Sequence, residues 1–508
     1  MLPISVKYIV LLFAILLPLF SASQGFNIPV NQQYAFDMGK ILYDSSETHT
    51  SVKPLQLREL GNDEFWNITE IEKNRKLKIF PLLNSNQFVG EELVSYNTLG
   101  FGAYGEFYKN WSFQSSVNAG LYQFSEKTNS IIDSTGFLPN GNKYNRNSGN
   151  FYGDYNFDFR ISYRPFHFLT LVFGNDKHFL GDGYRSLFLS NNAASFPFGN
   201  IVLDIWKIKY SVLYCFLKDI EYPDFSQTYS KYNTIHFLSI NLTKRFNVNI
   251  FESVSWSSRD SINHRGYDIN YLNPVIFFRP VEFSLDDPSP DNVLLGLGFK
   301  YNFYRNYHFY GQVFVDDFLL SEFKSKNGYW ANKQGIQLGI RAFDFLNVQH
   351  LFFLSEVNLV RPFTYEHLSS LSAYGNQYES LAHPLGSNFF ESLTYVRFRN
   401  EKFIFEAKWI YAKYGSDSSN VSLGNDLYKP YTLRIGEYGH ELFQGILHEK
   451  IKHQYRISYT IWPKFDLYAF AGIKIEQNLN PLAENKIFFN FGLTTHFNFY
   501  DPDYLKRH

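Results

Sequence analysis

The densest run of side chains able to do chemistry lies between Gly174 and Ala193, where Asp176, Lys177, His178, Asp182, Tyr184 and Arg185 fall within ten positions. Carboxylates, cations, an imidazole and a phenol so close together can hydrogen-bond sugar hydroxyls or pair with acidic sugars. The same set can instead form an internal ion-pair network that pins a long loop, since buried backbone groups there need partners. Gly181 and Gly183 suit a tight turn, because no helix follows them to make a phosphate cradle. Three further segments stand out. One is Leu272-Asn273-Pro274 running on to Arg279 and Glu282, with Asp291 and Asn292 after it; another is Val315-Asp316-Asp317-Phe318; the last joins Arg361-Pro362-Phe363-Thr364-Tyr365 to His383-Pro384-Leu385-Gly386-Ser387-Asn388.

These residues do not add up to an enzyme. Ser186 lacks the Gly-x-Ser-x-Gly elbow, and the adjacent carboxylates in Asp286-Asp287 and Asp316-Asp317 would point to opposite faces of a strand. His440, His448 and His453 have no metal-ligand spacing, so neither a metal nor a cofactor is expected. Cys215 is the one cysteine, which rules out a disulfide or thiolate metal site within the chain. Its setting, Val212-Leu213-Tyr214-Cys215-Phe216, reads as a strand in which it is a small hydrophobe. A formal net charge of -1 over 508 residues offers nucleic acid nothing to bind. Tyr144, Tyr229, Tyr329, Trp330 and Tyr374 lie in predicted loops, where their rings could stack on sugars or pack the loops.

The elements that must position these residues read as strands. Lys7, the apolar run Ile9 to Leu19 and Ser21-Ala22-Ser23 form a secretory signal over 1–23, since eleven apolar residues are too few to span a bilayer. Aromatics reach 19% of the chain while mean hydropathy is only -0.26, a pairing that suits alternating strands better than apolar helices. Asp154 to Tyr163 and Lys450 to Ile461 alternate polar with apolar at every residue. Such runs exceed the 5 to 6 residues of an average soluble strand and match the roughly 9 to 11 that cross a bilayer.

Short turns near Lys109-Asn110, Arg164-Pro165, Lys244-Arg245, Arg305-Asn306, Asp344-Phe345, Asn400-Glu401 and Pro463-Lys464 alternate with long loops near 125–150, 176–198, 218–232, 258–290, 361–387 and 415–447. This is the asymmetry of an outer-membrane barrel, short on the periplasmic side and long outside. The fold expected is an all-β transmembrane barrel over 76–500, antiparallel and of about eighteen strands. Lys76 to Phe88, with Pro81, is its first and weakest strand and Lys486 to Phe499 its last. Lys450, Lys452, Arg456, Asp158 and Arg160 should face the lumen, and Phe403, Phe405, Trp409 and Tyr411 the lipid. Residues 24–75 do not alternate: two amphipathic helices, Asn31 to Leu42 and Asp63 to Asn74, are predicted around an extended Thr50 to Leu55, as a periplasmic element or plug. Residues 501–508 complete the chain as a periplasmic tail. Both termini are thus expected in the periplasm and all four polar segments at the extracellular end.

Those segments, in order, resemble the Wzi family of capsule-assembly barrels and the related Bacteroidota barrels typified by the gliding-motility protein RemB. The resemblance rests on Val52-Lys53-Pro54-Leu55, Gly174 to Ala193, Asn273-Pro274 with Asp291-Asn292, Asp316-Asp317-Phe318 and His383 to Asn388. It implies an eighteen-stranded barrel with a helical periplasmic end that attaches capsular polysaccharide without catalysis. Gly181-Asp182-Gly183 stands where the enterobacterial branch has Gly-Pro-Gly, which places this chain with the Bacteroidota branch. Ligand contacts would then come from Asp176, Lys177, His178, Asp182, Tyr184, Arg185, Arg279, Glu282, Asp291 and Asn292. Partners would be surface polysaccharide and outer-membrane lipid. Two other functions compete, an accessory subunit of a gliding-motility or type IX secretion complex and a diffusion porin.

Overall fold

The computed structural model describes residues 36, 39–44, 48–55, 69–72, 75–107, 110–139, 141–146, 151–259, 265–275, 291–304, 306–418, 420–495 and 503–504. The secretory signal, Arg279 and Glu282 lie outside the described residues.

Alternation of apolar and polar residues over bilayer-length runs produces eighteen antiparallel strands that close into one barrel. The first six are β1 (Arg75–Val89), β2 (Leu93–Phe107), β3 (Trp111–Gln123), β4 (Phe151–Phe166), β5 (Leu169–Asp176) and β6 (Phe196–Ile205). Next come β7 (Ile208–Glu221), β8 (Asp224–Asn241), β9 (Phe246–Ser257), β10 (Asn292–Tyr304), β11 (Tyr307–Val315) and β12 (Gln334–Ala342). The circuit ends with β13 (Leu351–Val360), β14 (Phe389–Arg399), β15 (Phe403–Ser416), β16 (Ile446–Trp462), β17 (Leu467–Asn480) and β18 (Glu484–Thr495). β18 returns to β1 with Phe489 opposite Val89 and Thr494 opposite Asn84, so no edge is left along that stretch. Pro81 sits outside it, where a missing N–H on β1 costs least.

The two faces of each strand separate by chemistry. Leu99, Phe101, Tyr155, Phe157, Phe173, Leu297, Phe489 and Phe491 all point outward and are exposed. Such an exterior is stable in lipid, not in water. Arg160, Lys452 and Arg456 point inward as expected, and Arg456 pairs with Glu406 at 2.5 Å. Cys215 is buried on the luminal side. No described helix is long and apolar enough to cross a membrane.

The lumen is occupied by two segments that meet inside it. From the short-turn end, α1 (Gly39–Asp44) leads to a buried strand, Val52–Lys53. From the opposite end the β5–β6 loop folds inward, and Phe179–Leu180 pairs antiparallel with Lys53 and Val52. Phe188 stacks on Phe251 of the wall at 4.8 Å, within a buried apolar cluster that includes Leu187, Leu189, Phe237 and Phe314. Phe36, Tyr43 and Leu55 bury a second cluster against Phe343, Phe352 and Leu393.

Four expectations are corrected. The 218–232 stretch is a continuation of β7 and β8, paired through Ile220 with Thr228 and, after a register shift, Glu221 with Asp224, and turning at Tyr222-Pro223. Thr69–Glu72, inside the second predicted helix, is a strand paired with Arg75 to Leu77, because Arg75, Lys76 and Leu77 extend β1 and offer it an edge. Asp503 and Tyr504 lie in the lumen, not in a free tail, drawn there by Lys408 and Glu391. The four polar segments do not share one end of the barrel: the Asp176–Arg185 run descends the lumen, and the segment at Leu272 lies on the outer wall.

The lipid-facing assignment makes a direct prediction. Phe101→Arg on β2 should destabilise the barrel by about 2–4 kcal/mol if it falls near the bilayer midplane. Folding into lipid vesicles against urea measures this, and an unchanged midpoint would contradict the outward placement.

Candidate functional site

Two polar regions emerge from this arrangement, one inside the lumen and one on the rim. In the lumen, backbone space decides the loop's path: Gly181 adopts φ 139°, and a Cβ at Gly183 would collide with the Glu356 carboxylate. That close approach lets Glu356 accept the backbone N–H groups of Tyr184 at 2.8 Å and Arg185 at 3.1 Å. Glu356 also accepts from the Tyr310 hydroxyl at 2.8 Å and Asn358 at 2.9 Å, so four donors compensate its burial.

Arg185 then forks onto Glu391 through Nε at 3.3 Å and Nη2 at 3.0 Å, and reaches Asp503 of the carboxy-terminal segment at 2.9 Å. His383 at 2.8 Å and the Tyr504 hydroxyl at 2.7 Å hold the same Glu391. Asp182 accepts from the Tyr43 hydroxyl at 3.1 Å and from Thr50, whose hydroxyl in turn accepts from Lys300 at 2.6 Å. Burial opposes ionisation of Asp182, but Lys300, Lys53, the Thr50 hydroxyl and Arg341 outweigh it and hold the carboxyl below its ordinary range. For Asp503 burial is likewise outweighed, by Lys408 and Arg185, and its pKa falls to about 2.

The remaining sequence-derived candidates are also engaged within the protein. Asp176 pairs with Arg160 at 2.5 Å, Lys177 donates to the Asn191 carbonyl at 3.2 Å, and His178 lies edge-on to Phe198 at 4.3 Å. Asp291 holds Arg265 at 2.5 Å and the Tyr271 hydroxyl at 2.7 Å on the outer side of the barrel, and Asn292 is buried beside it. Asp316 is buried on Lys333 at 3.4 Å and accepts the Tyr365 N–H at 2.9 Å; burial first, and then the Asp317 charge, raise its pKa to about 7 against the pull of Lys333. The structure therefore brings Asp182, Tyr184 and Arg185 together, sets Asp176–His178 apart on the β4–β6 wall, and leaves Asp291 and Asn292 elsewhere. Between plug and wall a cavity of about 30 Å³ remains, lined by Lys53, Arg160, His178 and Lys209, with room for about one water. Along β16 and β17, Lys450, Lys474 and Glu476 are only half-buried, so obstruction is heaviest on the β5–β15 side.

The rim offers a different surface. The β11–β12 and β15–β16 loops dock together through Trp330 N–H to the Glu437 carbonyl at 3.0 Å and His440 N–H to the Gly328 carbonyl at 2.9 Å. Trp330 donates its indole N–H to the Glu437 carboxylate at 2.6 Å, packs on Tyr431 at 4.7 Å, and carries the Arg434 guanidinium 3.9 Å over its ring. Tyr438, 55% exposed, lies 5.6 Å from Tyr329. Rings held at fixed angles beside a carboxylate and a guanidinium are the chemistry that binds sugars, through stacking and forked hydrogen bonds. Of the aromatics singled out in the sequence, Tyr329 and Trp330 belong here, whereas Tyr374 is wholly buried and Tyr229 lies under Arg259 at 4.3 Å. Tyr144 packs against Tyr152 at 5.1 Å. Sequence reasoning missed Tyr431, Arg434, Glu437 and Tyr438; an aromatic and charged cluster within a long predicted loop was the available signal.

The solved structure of Wzi from Escherichia coli, described as an outer membrane protein involved in group 1 capsule assembly and a carbohydrate-binding β-barrel, is similar over 93% of this chain and 100% of its own. The TM-score is 0.57 at 12% sequence identity. OprD from Pseudomonas aeruginosa matches over 84% of this chain and 96% of its own, with a TM-score of 0.44 and 10% identity. OccAB2 from Acinetobacter baumannii matches over 82% and 97%, with a TM-score of 0.42 and 11% identity. The likeness to Wzi concerns the fold, that of an outer-membrane β-barrel; the other two are too distant to bear on function. No protein-family model and no curated protein matches the chain.

Two outcomes follow from the luminal network. Arg185→Met leaves Glu391 and Asp503 short of a buried partner and should cost about 3–5 kcal/mol, read from thermal unfolding in detergent. Because Asp182 and Asp503 are depressed below the ordinary 3.8, their stabilisation is complete above that pH and is lost as pH falls below it, for Asp503 through about 2. Amide exchange over 181–186 should therefore accelerate between pH 4 and 2 beyond its intrinsic rate. Constant protection across that range would show that these carboxylates do not hold the loop.

Proposed function

We propose that this barrel binds surface polysaccharide at the cell exterior, through its long-loop rim and without catalysis. The observation that carries the reading is a rim surface above an obstructed lumen in which Tyr438 and Glu437 are exposed and Tyr329, Tyr431 and Arg434 partly so, all backed by the buried Trp330. The shared fold with a capsule-assembly, carbohydrate-binding barrel supports it. On this reading the long loops face outward, and both termini enter from the periplasm. Membership of the Bacteroidota branch belongs to the same proposal and rests on Gly181-Asp182-Gly183.

The loop and amino-terminal segment inside the barrel count against a diffusion porin. Among the described residues no feature favours a gliding or secretion scaffold. The candidate residues Asp176, Lys177, His178, Asp182, Tyr184, Arg185, Asp291 and Asn292 then serve mainly to shape the loops that present the rim.

Purified protein in detergent should bind polysaccharide extracted from its own cell surface. Tyr438→Ala should weaken binding roughly fivefold, the equivalent of about 1 kcal/mol of ring contact. Absence of binding would sink the proposal, and ohmic conductance in planar bilayers would argue for the porin instead.

A further inference from the structure

One polar patch of the outer wall is buried beneath a loop. Tyr210 and Tyr214 of β7, Thr234 and His236 of β8 and Glu252 of β9 all sit on the lipid side of their strands, alternating with the luminal Leu213, Ile235 and Phe251. Thr234, His236 and Glu252 are nevertheless buried. What covers this patch is the described part of the β9–β10 loop, residues 265–275, which lies flat on the outer wall. The Tyr267 hydroxyl meets Thr234 at 2.8 Å, and Trp256 donates to the Gly266 carbonyl at 3.4 Å. The hydroxyl of Tyr214 donates to the Leu272 carbonyl at 3.0 Å and that of Tyr210 to the Pro274 carbonyl at 2.8 Å. Tyr210 is two positions beyond the first residue of β7, beside the short β6–β7 turn, so the segment descends from the long-loop end along most of the barrel wall.

We propose that residues 265–275 form an intramembrane strap, contacted on its outer face by the acyl chains of the bilayer, that shields this polar patch from lipid. Irregular backbone survives at that depth only if its polar groups find partners without water. Here they do. Asn270 N–H donates to the Asp268 carboxylate at 2.9 Å, Tyr271 N–H to the Asp268 carbonyl at 3.1 Å and Val275 N–H to the Asn273 side chain at 3.1 Å, while the wall satisfies the carbonyls of 266, 272 and 274. Ile269, Leu272 and Val275 are left outward at 78, 47 and 63% exposed, with Pro274 and the amide side chains of Asn270 and Asn273 exposed between them. They continue the apolar belt of Phe216 and Leu297 beside them, which is why acyl chains, and not water, are the occupant. Arg265, tied to Asp268 and Asp291, anchors the strap at its upper end.

The test uses the full chain in lipid vesicles with Cys215→Ala as background and single replacements Ile269→Cys, Leu272→Cys or Val275→Cys. Lys127→Cys, on the exposed helix α2 (Glu126–Thr135), is the aqueous control. Strap cysteines should react with a membrane-impermeant maleimide at least tenfold more slowly than the control, and a fluorophore attached there should be quenched by brominated acyl chains. Tyr210→Phe with Tyr214→Phe removes two of the wall's holds and should raise labelling at Val275→Cys severalfold while leaving Lys127→Cys unchanged. Labelling as fast as the control overturns the proposal. Slow labelling with no quenching, and disulfide formation between copies at Ile269→Cys, overturns it in favour of a contact between two barrels.

Discussion

A guanidinium held between two carboxylates inside the barrel ties the rest of the structure together. Arg185 belongs to a loop from one end, Glu391 to the wall and Asp503 to the carboxy-terminal segment. Desolvating three such groups is costly unless every one is fully partnered, and each partner comes from a different part of the chain. The loop can therefore enter only if the wall carries Glu356 and Glu391, and the terminal segment settles only where Arg185 and Lys408 already stand. Val52–Lys53 then finds an edge at Phe179–Leu180, and the amino-terminal segment gains its place. What looks like filling of an empty tube is one cooperative set of contacts.

The same rule operates on the opposite side of the wall with a different solvent. Inside, charged groups neutralise one another; outside, hydrocarbon leaves no alternative to local hydrogen bonds. The 265–275 segment and the inward-folded β5–β6 loop are thus comparable objects. Each is irregular backbone pressed against a strand face, and in each some of the backbone polar groups are met by wall side chains. They differ in what they cover: a luminal face rich in ions, and an outer face with hydroxyls, an imidazole and a carboxylate.

Much of the barrel was legible because a strand facing lipid on one side and polar groups on the other must alternate at every residue. Asp154 to Tyr163 and Lys450 to Ile461 could hardly be anything else, and seven short turns fell within a few residues of their places. Alternation fails as a guide beyond the bilayer. Lys218 to Lys231 lacks an apolar face, since its hairpin stands clear of lipid, and so it read as a loop. Thr69–Glu72 alternates acid with neutral and fits a helix or a strand, and only the extended start of β1 decides it. The luminal and outer-wall placements were beyond reach for a further reason. Asp182 meets Thr50 across 132 positions and Arg185 meets Glu391 across 206, and a charged loop carries no mark of the direction in which it folds.

That separation of roles explains where binding chemistry can sit. A charged cluster draws attention in the sequence, yet in the folded chain its charges are spent on each other, and a sugar would have to displace Glu356, Glu391 or Asp503 to reach them. Tyr438 is under no such demand. Trp330 is oriented by Glu437 and Arg434, which leaves the neighbouring Tyr438 ring open to solvent. Pinning of the β13–β14 loop through His383 on Glu391 and Asn388 on the Gly415 carbonyl connects this rim to the luminal network. The buried ions thus determine the shape of the surface without being part of it, so a change at Arg185 would reach the rim through loop position, whereas a change at Tyr438 would alter the rim and leave the lumen as it is.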